Sequence, residues 1–100
     1  MTKVRLSDQE IDAIKRAAKE IFGADIKVYL FGSRTDLNRK GGDIDLLIIT
    51  NKEISHRDKI KFLVKVEDYG VERKVDLIIK TPNTKEKNII KTAIETGVLI

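Results

Sequence analysis

The 100 residues, 41% hydrophobic and 36% charged, predict one domain (residues 1–100) with enough core to fold alone and no room for a separate substrate domain. With no cysteine and a single histidine, the composition excludes disulfide frameworks, thiolate zinc sites, thiol nucleophiles and His-based metal clusters or triads. The net charge of +4 favours anionic partners, a nucleoside triphosphate as readily as a polynucleotide.

In chain order, Ser7-Asp8-Gln9-Glu10 reads as a capping box, and Ile11, Ile14, Ala18, Ile21 and Phe22 recur at helical spacing until Gly23 stops the helix. The apolar, β-prone run over residues 26–31 predicts a strand. Gly32-Ser33 then opens a short helix or turn reaching about Asn38. Gly41-Gly42 supplies a turn into a strand over residues 43–50. Ser55-His56-Arg57-Asp58 begins a second long helix through about Tyr69, closed by Gly70, and a strand over residues 74–80 follows. Pro82 and the capping pattern Asn83-Thr84-Lys85-Glu86 begin a last helix, with Ile89, Ile90, Ala93 and Ile94 inward and Gly97 as its stop. The order α-β-α-β-α-β-α predicts an α/β two-layer sandwich on a small three-stranded sheet. No apolar run approaches the ~20 residues of a membrane span, and the start, Met1-Thr2-Lys3-Val4-Arg5, is polar, so the cytoplasm is the expected compartment. Lys, Glu and Ile enrichment, with one Met and one Gln, resembles a thermophile composition.

Chemistry concentrates in three acids. In a strand residues i and i+2 share a face, so Asp43 and Asp45 point the same way, roughly 7 Å apart at Cα. Such a pair suits divalent ions spaced ~4 Å apart, as in phosphoryl-transfer sites. Asp76 interrupts the apolar run Val75-Asp76-Leu77-Ile78-Ile79, where a buried charge needs a partner that a metal would supply. A lone Asp-x-Asp before an apolar run is more often a solvated strand start. The Gly-Gly turn upstream and the third acid tip the balance toward metal.

Gly32-Ser33 can be a strand-to-helix turn with Ser33 as N-cap and a phosphate site at once, because a helix N-terminus offers free N–H groups. Arg34 beside it suits phosphate, whereas Arg39 and Lys40 read as a solvated loop edge. His56 fits a capping or surface role, and Tyr29, Phe31 and Phe62 fit the core. A P-loop and a dinucleotide Gly-x-Gly-x-x-Gly are absent. In the aspartyl-phosphate phosphatases the apolar strand precedes the Asp-x-Asp, but here it follows.

Gly32-Ser33, a spacer of nine residues, Asp43-Ile44-Asp45 and Asp76 on a later strand together resemble the signature of the DNA polymerase beta superfamily of nucleotidyltransferases. The spacer lacks the Ala-x-Gly that often follows Gly-Ser-Arg in that superfamily. The small size resembles its minimal nucleotidyltransferase (MNT) domains, including antitoxin-type proteins paired with HEPN-domain partners. The resemblance implies a mixed sheet with the Gly-Ser strand beside the Asp-x-Asp strand. It implies that Gly32 and Ser33, with Arg34 adjacent, hold the nucleotide's phosphates. It further implies that Asp43 and Asp45 hold Mg²⁺, two ions in all, and that Asp76 binds a metal and accepts the attacking hydroxyl's proton. The implied activity is Mg²⁺-dependent transfer of a nucleoside monophosphate, AMP from ATP, to a tyrosine hydroxyl of a HEPN-type toxin, with this chain as antitoxin. The alternatives are a catalytically weak nucleotide- or partner-binding module, or transfer to RNA or to a small molecule such as an aminoglycoside. The absence of an aromatic stacking platform disfavours single-stranded RNA, so nucleic acid is a less favoured partner than a protein.

Overall fold

The computed structural model describes residues 6–31, 44–85 and 87–100. Local chemistry sets the helix ends. At the start of α1 (Asp8–Phe22) the Ser7 hydroxyl accepts from the Glu10 N–H at 3.1 Å, and the Glu10 carboxylate accepts from the Ser7 N–H at 3.0 Å. Both halves of the capping box are made, which satisfies two backbone donors that would otherwise be orphaned. Gly23, at φ +96°, ends the helix in a conformation that L side chains rarely adopt. α2 (His56–Asp68) starts the same way, with the Ser55 hydroxyl accepting from the Asp58 N–H at 3.1 Å.

Between and after these helices lie β1 (Ile26–Phe31), β2 (Ile44–Thr50), β3 (Val75–Lys80), α3 (Asn88–Thr96) and β4 (Val98–Leu99). The sheet order is β3-β2-β1-β4. β2 and β3 run parallel, joined through α2, while β1 is antiparallel to both β2 and β4, so the sheet is mixed and β1 lies beside β2. A parallel pair needs a long crossover, and α2 is that crossover.

Two expectations change. The sheet has four strands among the described residues, not three: after Gly97 the chain adds the two-residue β4 to the free edge of β1. So short a strand has no readable period; its pairing with Tyr29 and Leu30 makes it, with the Ile100 N–H donating to the Val28 carbonyl at 2.9 Å. The last helix starts at Asn88 rather than near Asn83. The Thr84 hydroxyl accepts from the Thr81 N–H at 2.9 Å, and the Thr84 N–H donates to the Thr81 carbonyl at 3.1 Å. The supposed cap therefore closes a turn around Pro82. With the helix shifted, Ile90 and Ala93 face the sheet and Ile89 is 51% exposed.

Strand alternation sorts the apolar residues into two layers. Val28, Leu30, Ile44, Leu46 and Ile48 bury one face of the sheet against Ala13, Ile14, Ala17, Ala18 and Phe22 of α1 and Phe62 and Val66 of α2. The Phe22 and Phe62 rings meet at 5.4 Å between centroids, at the seam of the two helices. The opposite face carries Phe31 and Leu47, covered by Ile90 and Ala93 of α3. No helix among the described residues is long and apolar enough to cross a membrane.

Candidate acid pair at the end of the sheet

The register of the three longer strands determines which side chains meet. Phe31, the last residue of β1, pairs with Asp45, and Asp45 pairs in turn with Asp76. The three form one row across the sheet, and directly paired residues share a face. Asp45 alternates with Ile44 and Leu46, which point into the α1–α2 core, so its side chain belongs to the α3 face with Leu47. Asp76 lies on that face with Ile78.

Two carboxylates on neighbouring strands, about 4.8 Å apart in the pairing direction, thus stand side by side at the end where β1 finishes and β2 and β3 begin. Like charges opposed in this way are destabilising unless a cation intervenes. Within the chain, Lys74 Nζ lies 3.8 Å from Asp76 Oδ1. Both groups are well exposed, so that contact is a weak, screened one.

Asp76 corrects one premise of the sequence reading. It is not a charge entombed in an apolar run. Val75 and Leu77 point to the opposite face, β3 is an edge strand, and the Asp76 side chain is 49% exposed. Its significance comes from register with Asp45 rather than from the cost of burial. A run of letters along a strand mixes the residues of two faces, so it overstates how apolar either face is.

Asp43, Gly32, Ser33 and Arg34 lie outside the described residues. In the chain Gly32 directly follows Phe31, and Asp43 directly precedes Ile44. The expected site residues therefore attach at the two strand ends that flank the acid pair. Among the described residues no group of three or more acids or histidines could hold a metal. The described donors are the carboxylate pair itself, hard oxygens of the kind that hold Mg²⁺ with one or two carboxylates while phosphates and water complete its shell. Lys74 was not anticipated; its position two residues before Asp76 in an extended segment was the signal for it.

Other polar features sit elsewhere. A groove of about 660 Å³, lined by Asp25, Lys27, Tyr29, Ile49, Asn51 and Ile94, occupies the other end of the strands. A cleft of about 350 Å³ lies beside α1, with Lys15, Lys19 and Lys27 around an apolar floor. Neither contains the acid pair. The cluster of Glu20, Lys65 and Tyr69 ties α1 to α2 on the outer side of the molecule.

A comparison with curated proteins finds no match for this chain. The family model for the nucleotidyltransferase domain matches residues 11–100, from the first helix to the last residue, and the chain belongs to that family.

Proposed function

We propose that the protein transfers AMP from ATP to a hydroxyl on a partner protein, using Asp43, Asp45 and Asp76 as its charged centre. Family membership gives the general chemistry, movement of a nucleoside monophosphate from a nucleoside triphosphate. One observation carries the residue assignment: Asp45 and Asp76 are register partners on the same face, at the strand end from which Gly32-Ser33 continues.

In this reading the acceptor oxygen attacks the α-phosphorus, the bond from that phosphorus to the bridging oxygen breaks, and pyrophosphate leaves with the electron pair. Asp76 receives the hydroxyl proton or orients it, and its exposure lets an acceptor reach it. Gly32 and Ser33 supply backbone and hydroxyl donors to the phosphates, with Arg34 beside them. Asp43, Asp45 and Asp76 would hold Mg²⁺, which when bound neutralises the triphosphate and the charge developing on the transferred phosphoryl group.

The acceptor is assigned to a second protein because the described residues build little wall around the acid pair. Positioning is worth many kcal/mol in such reactions. On the α3 face one nine-residue helix is all the wall that the described residues provide. A partner that brings its own hydroxyl supplies that alignment. The resemblance to antitoxin-type domains points to a tyrosine of a HEPN-type protein.

The test is incubation with ATP, Mg²⁺ and the product of the neighbouring reading frame, followed by intact-mass measurement. An adduct of AMP mass on the partner, lost with Asp76→Ala, is the expected result. Labelling of RNA or of a small-molecule hydroxyl in place of the partner would overturn the choice of acceptor while leaving the chemistry intact.

A further inference from the structure

β3 is an edge strand. It is bonded to β2 along one side, and no strand among the described residues lies along the other. Its six residues pair with β2 without interruption and contain no proline. Val75, Leu77, Ile78 and Ile79 are only partly buried, whereas Ile44, Leu46, Leu47 and Ile48 of β2 are completely so. An edge of this length and composition is a template for one more strand. The other edge, β4, is two residues long and offers little.

Charge identifies the strand that fits. Asp76, Ile78 and Lys80 alternate onto the α3 face, while Leu77 and Ile79 point to the other. A lysine on an edge ordinarily deters pairing. Here the acid that would accept it sits four residues away in the same strand. A two-fold axis through Ile78, perpendicular to the sheet, sets Asp76 of each copy opposite Lys80 of the other. The same axis sets Leu77 opposite Ile79 twice and Ile78 opposite itself. Centring the axis on Leu77 sets Asp76 against Ile78, and centring it on Ile79 sets Lys80 against Ile78. Any register that pairs odd with even positions brings residues of opposite faces together, which a perpendicular two-fold forbids. Only the Ile78 register satisfies both charges.

We infer that two copies of this chain join β3 to β3, antiparallel about Ile78, into one eight-stranded sheet. Each Asp76 then gains a lysine across the axis in addition to the long contact with its own Lys74. The two acid pairs open onto one common face, about 13 Å apart along the strand direction. That last consequence rests on reading Asp76 as part of the site; the pairing itself does not.

The experiment is sedimentation of the full chain over a concentration series, with circular dichroism to verify folding of each variant. A dimer is expected. Lys80→Glu replaces two attractive pairs with two repulsive ones and should weaken association about tenfold or more. The double change Asp76→Lys, Lys80→Glu restores the pairs in reverse and should recover it. Because the chain has no cysteine, Ile78→Cys introduces the one thiol. Placed opposite itself it comes within reach of a disulfide, so mild oxidation should give a covalent dimer. Leu77→Cys and Ile79→Cys should give little. A monomer at every concentration, a dimer indifferent to Lys80→Glu, or cross-linking that prefers position 77 or 79 would each overturn the inference. None of these readouts uses transfer activity, so the pairing and the proposed function fail separately.

Discussion

The two faces of the sheet are built to different ends. On the α1–α2 face fourteen buried residues among those described form one continuous cluster sealed by two helices. On the α3 face four do, under a single short helix, and the row that ends that face is Asp45 and Asp76. The strands are the same strands, so the contrast comes from what alternates onto each side. One face uses the period-two pattern to exclude water, and the other uses the same pattern to carry carboxylates, Asp76 among them exposed to water. Stability should therefore be concentrated on one side and chemistry on the other.

The largest expected effect is on the sealed face. Phe62 is completely buried, against Phe22 of the facing helix. Phe62→Ala should cost about 3–5 kcal/mol of unfolding free energy, from lost transfer energy and the cavity left behind. Urea denaturation gives the number. A cost below about 1 kcal/mol would mean that this face is not the stability centre.

The mirror experiment is Asp45→Asn on the open face. The amide keeps the carboxylate's shape and removes one of two opposed charges, so the variant should still fold. Transfer should fall about a hundredfold or more, since one of the carboxylates that would hold Mg²⁺ against the phosphoryl group is lost. Mg²⁺ and ATP together should stabilise the wild type more than either alone, because a ligand that binds only the native state raises stability by mass action. The variant should lose most of that shift. A variant that melts early and also loses activity would place Asp45 in the core of the fold rather than in its chemistry.

A smaller effect is expected at Gly97, where the chain turns from α3 into β4. A Cβ there would run into the Ala93 carbonyl oxygen and lie 3.1 Å from that of Leu30. Backbone cannot yield as a flexible side chain can, so Gly97→Ala should cost about 1–3 kcal/mol and loosen β4 first. Amide exchange at Leu99 and Ile100 would report it, and an unchanged exchange pattern would count against the close approach.

How much of this was legible follows from where the information resides. Ser7, Gly23 and Ser55 act on groups within four residues of themselves, so both helix starts could be read from the sequence. The apolar runs of β1, β2 and β3 had the length and composition of strands. What sequence could not carry was partnership. Thr84 had the right letter for a helix cap, but the Thr81 backbone was the nearer group to cap. Val98-Leu99 is a strand only because β1 has a free edge beside it. The burial expected of Asp76 depended on β3 being interior, and β3 is an edge. The juxtaposition of Asp45 with Asp76 is a matter of register, and only the folded sheet supplies that.

The smallest effect sharpens the contrast between carboxylates. Glu20, on the α1–α2 side, has its partners built in. The Tyr69 hydroxyl donates to its two oxygens at 2.8 and 2.7 Å, Lys65 Nζ lies 3.1 Å away and Arg16 Nε 3.6 Å. The Tyr69 hydrogen bond, then the Lys65 contact, hold the Glu20 carboxyl below its ordinary value of 4.5, and Glu20 raises the Lys65 ammonium above 10.5. For Glu20 the lowered value means that its contribution is fully present above pH 4.5 and is lost as the pH falls through the folded value. For Lys65 the raised value means a contribution fully present below pH 10.5 and lost as the pH climbs through the raised, folded value. Between about pH 5 and 9 the pair should therefore leave the melting temperature flat. All three groups are solvent-accessible, so the acid-limb loss should be small and should shrink further in high salt. Tyr69→Phe removes the largest cause of the Glu20 shift and keeps the ring beneath Arg16, 5.0 Å from its centroid. Its acid limb should be shallower than that of the wild type, with the basic limb barely moved. Thermal melts from pH 3 to 7 at two salt concentrations measure this. An acid limb that Tyr69→Phe leaves unchanged would mean that Glu20 is held by its cations alone, and that the phenol adds packing rather than a hydrogen bond that matters.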